Sequence, residues 1–463
     1  NSSADWFDPE WMFGVKDGFD IVIGNPPYIQ LQKAFNSKIK YADLYKNQNY
    51  VTFDRTGDIY CLFYEKGIQL LKQTGILCYI TSNKWMRAGY GEKLRNFFIK
   101  NNPLQLIDLG PEVFENATVD TNILLIQKAT NQLQLKAVTL QKQDKENLSK
   151  AMQEKSVVLT KLSKDAWFIG SDAEQRLKEK IEQIGKPLKD WDVKIYRGVL
   201  TGLNEAFIIT TEKRNEILAN CRDEDERRRT ESIIKPILRG RDIKRYYYEW
   251  AGLWVILAKF GFYKEAHLYP AVVNHLKQFE NDLKHRGQCR YTRQNKKSNN
   301  GDYEGQHHWL ELDNNPHDSY LAEFEKEKVV WQRITQKPTF CLVEPNVFVL
   351  DSMAFFTGNN LKFIMAVLNS KIIYEYVNMI VHQYGFTGFR LSNQYVEVMP
   401  LPPITPSNEH IVKQIESLVD KILEAKKQNP AADTSPWERE IDELVYRLYE
   451  LTEEEIKIIE GGK

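Results

Sequence analysis

A short apolar run that stops on two prolines sets the first constraint on this fold. Phe19-Asp20-Ile21-Val22-Ile23-Gly24 leads straight into Asn25-Pro26-Pro27-Tyr28. β-Branched residues bounded by glycine read as a buried strand, and this run has the form of a central parallel one. Neither proline can donate a backbone hydrogen bond and both fix φ, so the chain must leave the sheet there with its carbonyls pointing outward. An aromatic ring then arrives at the carboxyl end of the strand, where open α/β sheets bind ligands.

The chemistry that wants such a turn is methylation of an exocyclic amino group. That nitrogen has its lone pair delocalised into a ring or carbonyl and is a poor nucleophile. Two acceptors aimed at its hydrogens favour the tetrahedral, nucleophilic form, and the Asn25 side-chain oxygen and the Pro26 carbonyl are the candidates. The face of Tyr28 is placed to stack on the planar group that carries the amine. Methyl transfer from a sulfonium donor is an in-line displacement, so positioning and electrostatics suffice without a strong base.

The chain continues as alternating elements. Apolar residues at Ile59, Leu62, Phe63, Ile68, Leu70 and Leu71 predict a helix within 58–72, Gly75 breaks it, and 76–80 follows as a strand. A second helix is expected over 90–100 after the polar turn Thr81-Ser82-Asn83. Two further strands, 104–109 and 122–127, bracket a loop with Phe114. The order predicts an α/β fold with an incomplete doubly wound, Rossmann-like sheet.

These stretches resemble the second half of the catalytic domain of the TaqI-type DNA adenine-N6 methyltransferases and of the related single-chain type IIG restriction-modification enzymes. The resemblance is carried by FDIVIGNPPYIQ, DIYCLFYEKGIQLLKQTGILCYITSNKW, GEKLRNFF and PEVFENATVDTNILLIQK, in the order of that family. It implies that Asn25, Pro26, Pro27 and Tyr28 orient the amino group of a flipped adenine, and that Phe114 stacks on the base from the other side. Base extrusion is a physical requirement, because the amine of a paired adenine is tied up in the duplex. The resemblance further implies S-adenosylmethionine as cofactor and double-stranded DNA as partner, while the scattered cysteines suggest free thiols in a reducing cytoplasm. A glycine-rich turn for the donor is expected after a first strand and an acid after a second. The residues before Asn25 contain neither, and Gly89-Tyr90-Gly91 follows a later strand. The donor-binding half and the endonuclease domain are therefore expected upstream, and the isolated chain is expected to be inactive and to bind the donor weakly or not at all.

Four regions are expected: a methylase half over 1–130, a linker rich in Gln, Lys and Asn over 131–155, an α+β target-recognition domain over 156–405, and a helical tail over 406–463. The tail carries apolar helical faces at Ile411, Ile415, Leu418 and Ile422 and again at Ile441, Leu444, Val445 and Leu448. An acidic tail repels DNA, so it is expected to pack on the protein itself. The stretches around Tyr196-Arg197-Gly198 and Leu238-Arg239-Gly240-Arg241 resemble the recognition domain of the same enzymes. With Lys+Arg and Asp+Glu equal at 63 each, net charge announces no nucleic-acid partner, and local patterning must carry the case. Over 284–297 the chain has Lys284, His285, Arg286, Arg290, Arg293, Lys296 and Lys297 with no acid, interleaved with Gln294 and Asn295. Such a run can neutralise phosphates while amides and arginines reach base edges. Arg197, Asn204, Arg239, Arg241, Arg286, Arg290, Arg293, Lys296 and Lys297 are the candidate DNA contacts.

Other chemistries fit less well. His307-His308 are adjacent, so both rings cannot face one ligand from a helix, and no cysteine is spaced to join them. Glu325-Lys326-Glu327-Lys328 reads as a solvated helix face. Cys61, Cys78, Cys221, Cys289 and Cys341 are scattered as free thiols would be, and no metal site is expected. Two other functions share the motifs: a non-catalytic DNA-binding specificity module, and a protein glutamine methyltransferase, which the long recognition domain disfavours.

Overall fold

The computed structural model describes residues 9–35, 39–110, 113–114, 119–140, 144, 146–290, 305–314, 316–381, 383–384 and 388–461. The chain forms two compact units, Asn1–Glu179 with Asn378–Thr387, and Lys180–Val377 with Gly388–Lys463. Among the described residues no helix is long and apolar enough to cross a membrane.

The first unit is built on one mixed sheet. In chain order it contains α1 (Pro9–Phe13), β1 (Phe19–Gly24), α2 (Tyr41–Tyr45), α3 (Tyr60–Leu70), β2 (Leu71–Ser82), α4 (Glu92–Phe98), β3 (Asn102–Gly110), β4 (Thr121–Gln127), β5 (Leu135–Thr139), α5 (Leu148–Lys155) and β6 (Val157–Leu159). The strands lie in the order β1-β2-β4-β3-β5-β6. β1 runs parallel to β2, and β3 to β5, while β4 is antiparallel to both of its neighbours. The sheet is thus mixed, in keeping with the α/β class expected from the sequence. Only ten residues separate Gly110 at the end of β3 from Thr121 at the start of β4, fewer than a parallel crossover needs, so the chain reverses direction.

Two sequence expectations about this unit need correction. The stretch 131–155 is not a linker. Leu135, Ala137 and Val138 are buried in β5, which pairs with β3, and Asn147 caps α5 through its side chain. Nor is β1 a buried central strand. It is an edge of the sheet, with Ile21 64% and Ile23 77% exposed, and among the described residues nothing pairs with its outer side.

The exposure has a pattern. Val22, Leu77, Tyr79, Leu124 and Ile126 point to one face, where Tyr64 and Ile68 of α3 and Leu94 and Phe98 of α4 complete the core. Ile21, Ile23, Ile76, Cys78, Ile80 and Leu125 point to the other face, and none of them is fully buried. That second face has a small core only around Ile107, Leu109, Val138 and Leu140, where Ala151 of α5 covers it. The sheet is covered on both sides at β3 and β5 and on one side at β1 and β2.

The second unit contains two four-stranded sheets. Its strands include β7 (Lys186–Pro187), β8 (Val193–Arg197), β9 (Ile208–Thr210), β10 (Ile234–Leu238), β11 (Leu253–Ile256), β12 (Lys328–Gln332), β13 (Ile334–Thr335), β14 (Phe340–Val343), β15 (Phe348–Val349) and β16 (Met353–Gly358). The sheet orders are β15-β10-β11-β9 and β14-β12-β16-β8, around a shared core that includes Phe207, Ile237, Val255, Phe324, Val330 and Phe355. The tail lies inside this unit. Its helix Glu409–Gln428 packs on the helix Leu361–Asn369, Glu438 pairs with Arg245, and the Tyr449 hydroxyl donates to Pro400. A capping box between Thr452 and Glu455 opens the last helix, Glu453–Ile459. The run at 325–328 is not a helix face. Lys328 starts β12 fully buried, and its ammonium donates to the carbonyls of Lys326 (2.8 Å) and Glu344 (2.9 Å). Burial lowers the pKa of that ammonium to about 8.

Candidate functional site

β1 delivers Asn25-Pro26-Pro27-Tyr28 at its carboxyl end. Pro26 is buried, Asn25 and Pro27 are exposed, and Tyr28 is half-buried. The turn is pinned from behind by the segment that enters α3. Ile29 N donates to the Asp58 carboxylate (2.8 Å), Ile59 N to Ile29 O (2.9 Å) and Leu31 N to Gly57 O (2.9 Å). Burial raises the pKa of Asp58, opposed by the backbone N–H groups that bond to it.

The Tyr28 hydroxyl donates to the Asn25 side-chain oxygen at 2.9 Å, with a longer contact to Ile80 O at 3.4 Å. Burial, with the nearby Asp58 carboxylate, holds the phenol above its ordinary pKa, so it remains a hydroxyl and a donor. A carboxamide oxygen has two lone pairs, so one stays available to an incoming N–H. The Tyr28 ring is itself set edge-on to Tyr60, with centroids 6.3 Å apart. Sequence reasoning assigned Tyr28 a stacking face and missed this second role. The N-x-x-Y spacing could have signalled it, since a side chain three residues on returns to the same turn.

A buried polar group adjoins the turn at the same end of the sheet. Asn83 Nδ2 donates to Asp108 Oδ1 (2.8 Å), Asn122 Nδ2 to Ser82 O (3.0 Å), and the Tyr64 and Thr81 hydroxyls share a bond at 2.9 Å. Register places Gly24 beside Tyr79 and Ser82 beside Thr121, so the loop from β3 to β4 leaves from the end of the sheet that carries Asn25. Phe114 sits half-buried in that loop.

A Cβ on Gly91 would lie 2.1 Å from Trp85 O, so that glycine is needed for packing on its own chain, whereas a Cβ on Gly89 would meet nothing within 4 Å. The side of Asn25 away from β2 is the open edge formed by Ile21 and Ile23.

The candidate DNA contacts fall into four groups. Arg197, Asn204 and Arg241 are exposed, and among the described residues neither arginine has an ion pair within 4 Å. Asn204 accepts from the Thr201 hydroxyl at 2.6 Å. Arg239 is held in its own turn by Asp242, at 2.9 and 3.2 Å. Arg286 is not a phosphate contact. It is 7% exposed, and its donors go to Leu283 O, Thr201 O, Trp309 O, Glu311 O and the Asp313 carboxylate, all between 2.7 and 3.2 Å. The Arg290 side chain, Arg293, Lys296 and Lys297 lie outside the described residues. A cysteine does join the histidines: Cys289 Sγ is 3.6 Å from His307 Nδ1, and His307 Nε2 is 3.0 Å from Asp313. Burial opposes the charge on His307, but the Asp313 and Cys289 bonds outweigh it and raise its pKa to about 9. His308 stacks on Tyr263, and burial lowers its pKa to about 4.

Residues 1–114 match the Eco57I restriction-modification methylase family, and residues 235–401 match the TaqI-like C-terminal specificity domain. The chain therefore carries an Eco57I-type methylase region and a TaqI-like specificity domain. It is 32% identical over 201 residues to the type II restriction enzyme and methyltransferase RM.Eco57I of Escherichia coli, covering 41% of this chain and 19% of that protein. It is 22% identical over 490 aligned positions to the type II methyltransferase M.BstVI of Geobacillus stearothermophilus, covering 96% of this chain and 75% of that one. Its fold is similar to that of the type IIL restriction-modification enzyme MmeI, solved in complex with DNA. The TM-score is 0.62 at 12% identity, over 96% of this chain and 56% of that one.

Proposed function

We propose that this chain supplies the acceptor-holding half and the sequence-reading domain of a site-specific DNA adenine-N6 methyltransferase within a restriction-modification enzyme. The observation that carries the reading is the Asn25 carboxamide, fixed by the Tyr28 hydroxyl at the mouth of a methylase-type sheet. Asn25 Oδ1 and the Pro26 carbonyl accept the two amino hydrogens of a flipped adenine, which concentrates the nitrogen lone pair toward the methyl donor. The Tyr28 ring takes one face of the base and Phe114 the other. The loop that carries Phe114 leaves the sheet at the end where Asn25 lies, which supports that pairing.

S-adenosylmethionine is the methyl source of the complete enzyme, held by protein outside the described residues. The uncovered apolar face at Ile21, Ile23, Ile76 and Cys78 and the unpaired edge of β1 support its location. A further parallel strand and a helical layer placed there would bring a donor site to the open side of Asn25. This chain alone then reads DNA without methylating it.

The test is labelled methyl transfer to duplex DNA by the chain alone and with the donor-binding region joined to it. Activity only in the joined form, with label in N6-methyladenine and lost in Asn25→Ala, is expected. Label in another base, or an undiminished Asn25→Ala enzyme, overturns the assignment.

A further inference from the structure

In the second unit, a cleft of about 210 Å³ opens between the end of β8 and the segment that leads into β16. Arg197, Asn314, His317, Tyr320 and Asp351 contribute to its lining. The two chain segments that carry Arg197 and Asp351 are locked together. Val199 N donates to Val349 O (2.7 Å) and Asp351 N to Val199 O (3.0 Å). A Cβ on Gly198 would lie 2.1 Å from Leu350 O, so the backbones meet there with no room for a side chain. The Tyr320 hydroxyl donates to Arg197 O at 2.8 Å, and β8 pairs Arg197 with Ala354. The guanidinium of Arg197 therefore leaves a fixed platform while its own donors face solvent.

The neighbouring charge decides what such a guanidinium is for. Asp351 is half-buried, with its carboxylate 3.4 Å from Arg333 and close enough to Arg197 to feel its charge. Asp313 also lines the cleft, although Arg286 and His307 already engage it. A phosphate would meet these carboxylates, whereas a base pair offers acceptors and a donor side by side. Guanine presents O6 and N7 to an arginine fork, and its cytosine partner presents an N4 amine to a carboxylate.

We propose, on the DNA-recognition reading above, that Arg197 and Asp351 form a subsite that reads one G·C pair in the major groove. Arg197 donates to the guanine and Asp351 accepts from the cytosine. With charges of opposite sign the pair contributes selectivity and little net attraction to the phosphate backbone.

The experiment is selection of bound duplexes from a randomised pool by the 463-residue chain and by its Arg197→Ala, Arg197→Lys and Asp351→Asn variants, with salt titrations of the enriched sequences. The wild type is expected to enrich a motif containing G·C. Arg197→Ala is expected to turn one G·C position degenerate and to leave the others intact. Affinity for the best duplex falls between about five-fold and a hundred-fold, with an unchanged salt slope. Arg197→Lys keeps the charge without the fork and is expected to relax the same position. A full motif retained by Arg197→Ala overturns the proposal. So does an even loss across all sequences with a salt slope shallower by about one, the mark of a phosphate contact. If the wild-type chain retains no duplex, the DNA-recognition reading falls and this subsite falls with it.

Discussion

Replacing Ile23 by lysine separates two meanings of an apolar strand. In this chain the side chain keeps 77% of its surface in water, so only a minor part of its burial energy is at stake. Full burial of isoleucine stabilises by about 1.5–3 kcal/mol, which puts the loss near 0.5 kcal/mol, with a few tenths more for the weaker strand propensity of lysine. The total stays below about 1 kcal/mol. Leu77 is the contrast, because it is fully buried on the covered face, in register with Val22 on the adjacent strand. Leu77→Ala should cost about 2–5 kcal/mol. Urea unfolding followed by tryptophan fluorescence gives both midpoints at constant slope. In a longer protein whose further strand and helices cover β1, the same lysine is a buried charge and costs on the order of several kcal/mol. The reasoning is refuted if Ile23→Lys shifts the midpoint of this chain as far as Leu77→Ala does.

Three further outcomes are expected. Tyr28→Phe keeps the stacking ring and removes the bond that fixes Asn25, so kcat of the joined enzyme should fall by about ten-fold, on the order of one lost hydrogen bond, while DNA affinity holds. Loss of DNA affinity instead would show that the hydroxyl meets DNA directly. Arg286→Ala leaves several buried carbonyls and Asp313 without their donor and should destabilise the chain by about 3–5 kcal/mol in urea, whereas a stable variant with weakened DNA binding would restore the phosphate-contact reading. Because the folded pKa of His307, about 9, lies above its ordinary value of 6.5, its contribution is fully present below pH 6.5 and is lost as pH rises through 9. The stability difference between wild type and His307→Gln should shrink over that window by at most about 3 kcal/mol, and a flat difference would count against the ion pair.

How far the sequence reached depends on which residues carry their partners with them. Asn25-Pro26-Pro27-Tyr28 was legible because proline geometry and the preceding strand are local. The strands and helices over 58–127 were legible in kind because each has its own periodicity, though β2 extends well beyond the expected 76–80 in both directions. The edge position of β1 was not legible. Val22 and Ile23 are equally apolar, and only the register of a distant helical layer makes one covered and the other not. The segment 131–155 looked polar because Gln and Lys alternate around Leu135, Ala137 and Val138, a half-buried strand at the least conspicuous length. Arg286 read as one cation among several, since composition cannot say which arginine turns inward. Cys289 and His307 are 18 residues apart in sequence, and only the fold brings them to 3.6 Å.

The bond from Tyr28 to Asn25 also bears on errors. It fixes which way the carboxamide faces before anything arrives, so its oxygen, and not its NH2 group, is turned toward the hydroxyl. On the proposed reading, a base that brings a keto oxygen to such a place, as thymine does with O4 or guanine with O6, sets lone pairs against lone pairs and gains nothing for having left the helix. Only a base that turns an amine to that place, as adenine or cytosine does, is rewarded for staying. Rejection of a keto base is then built into the orientation of one amide, ahead of any bond being made.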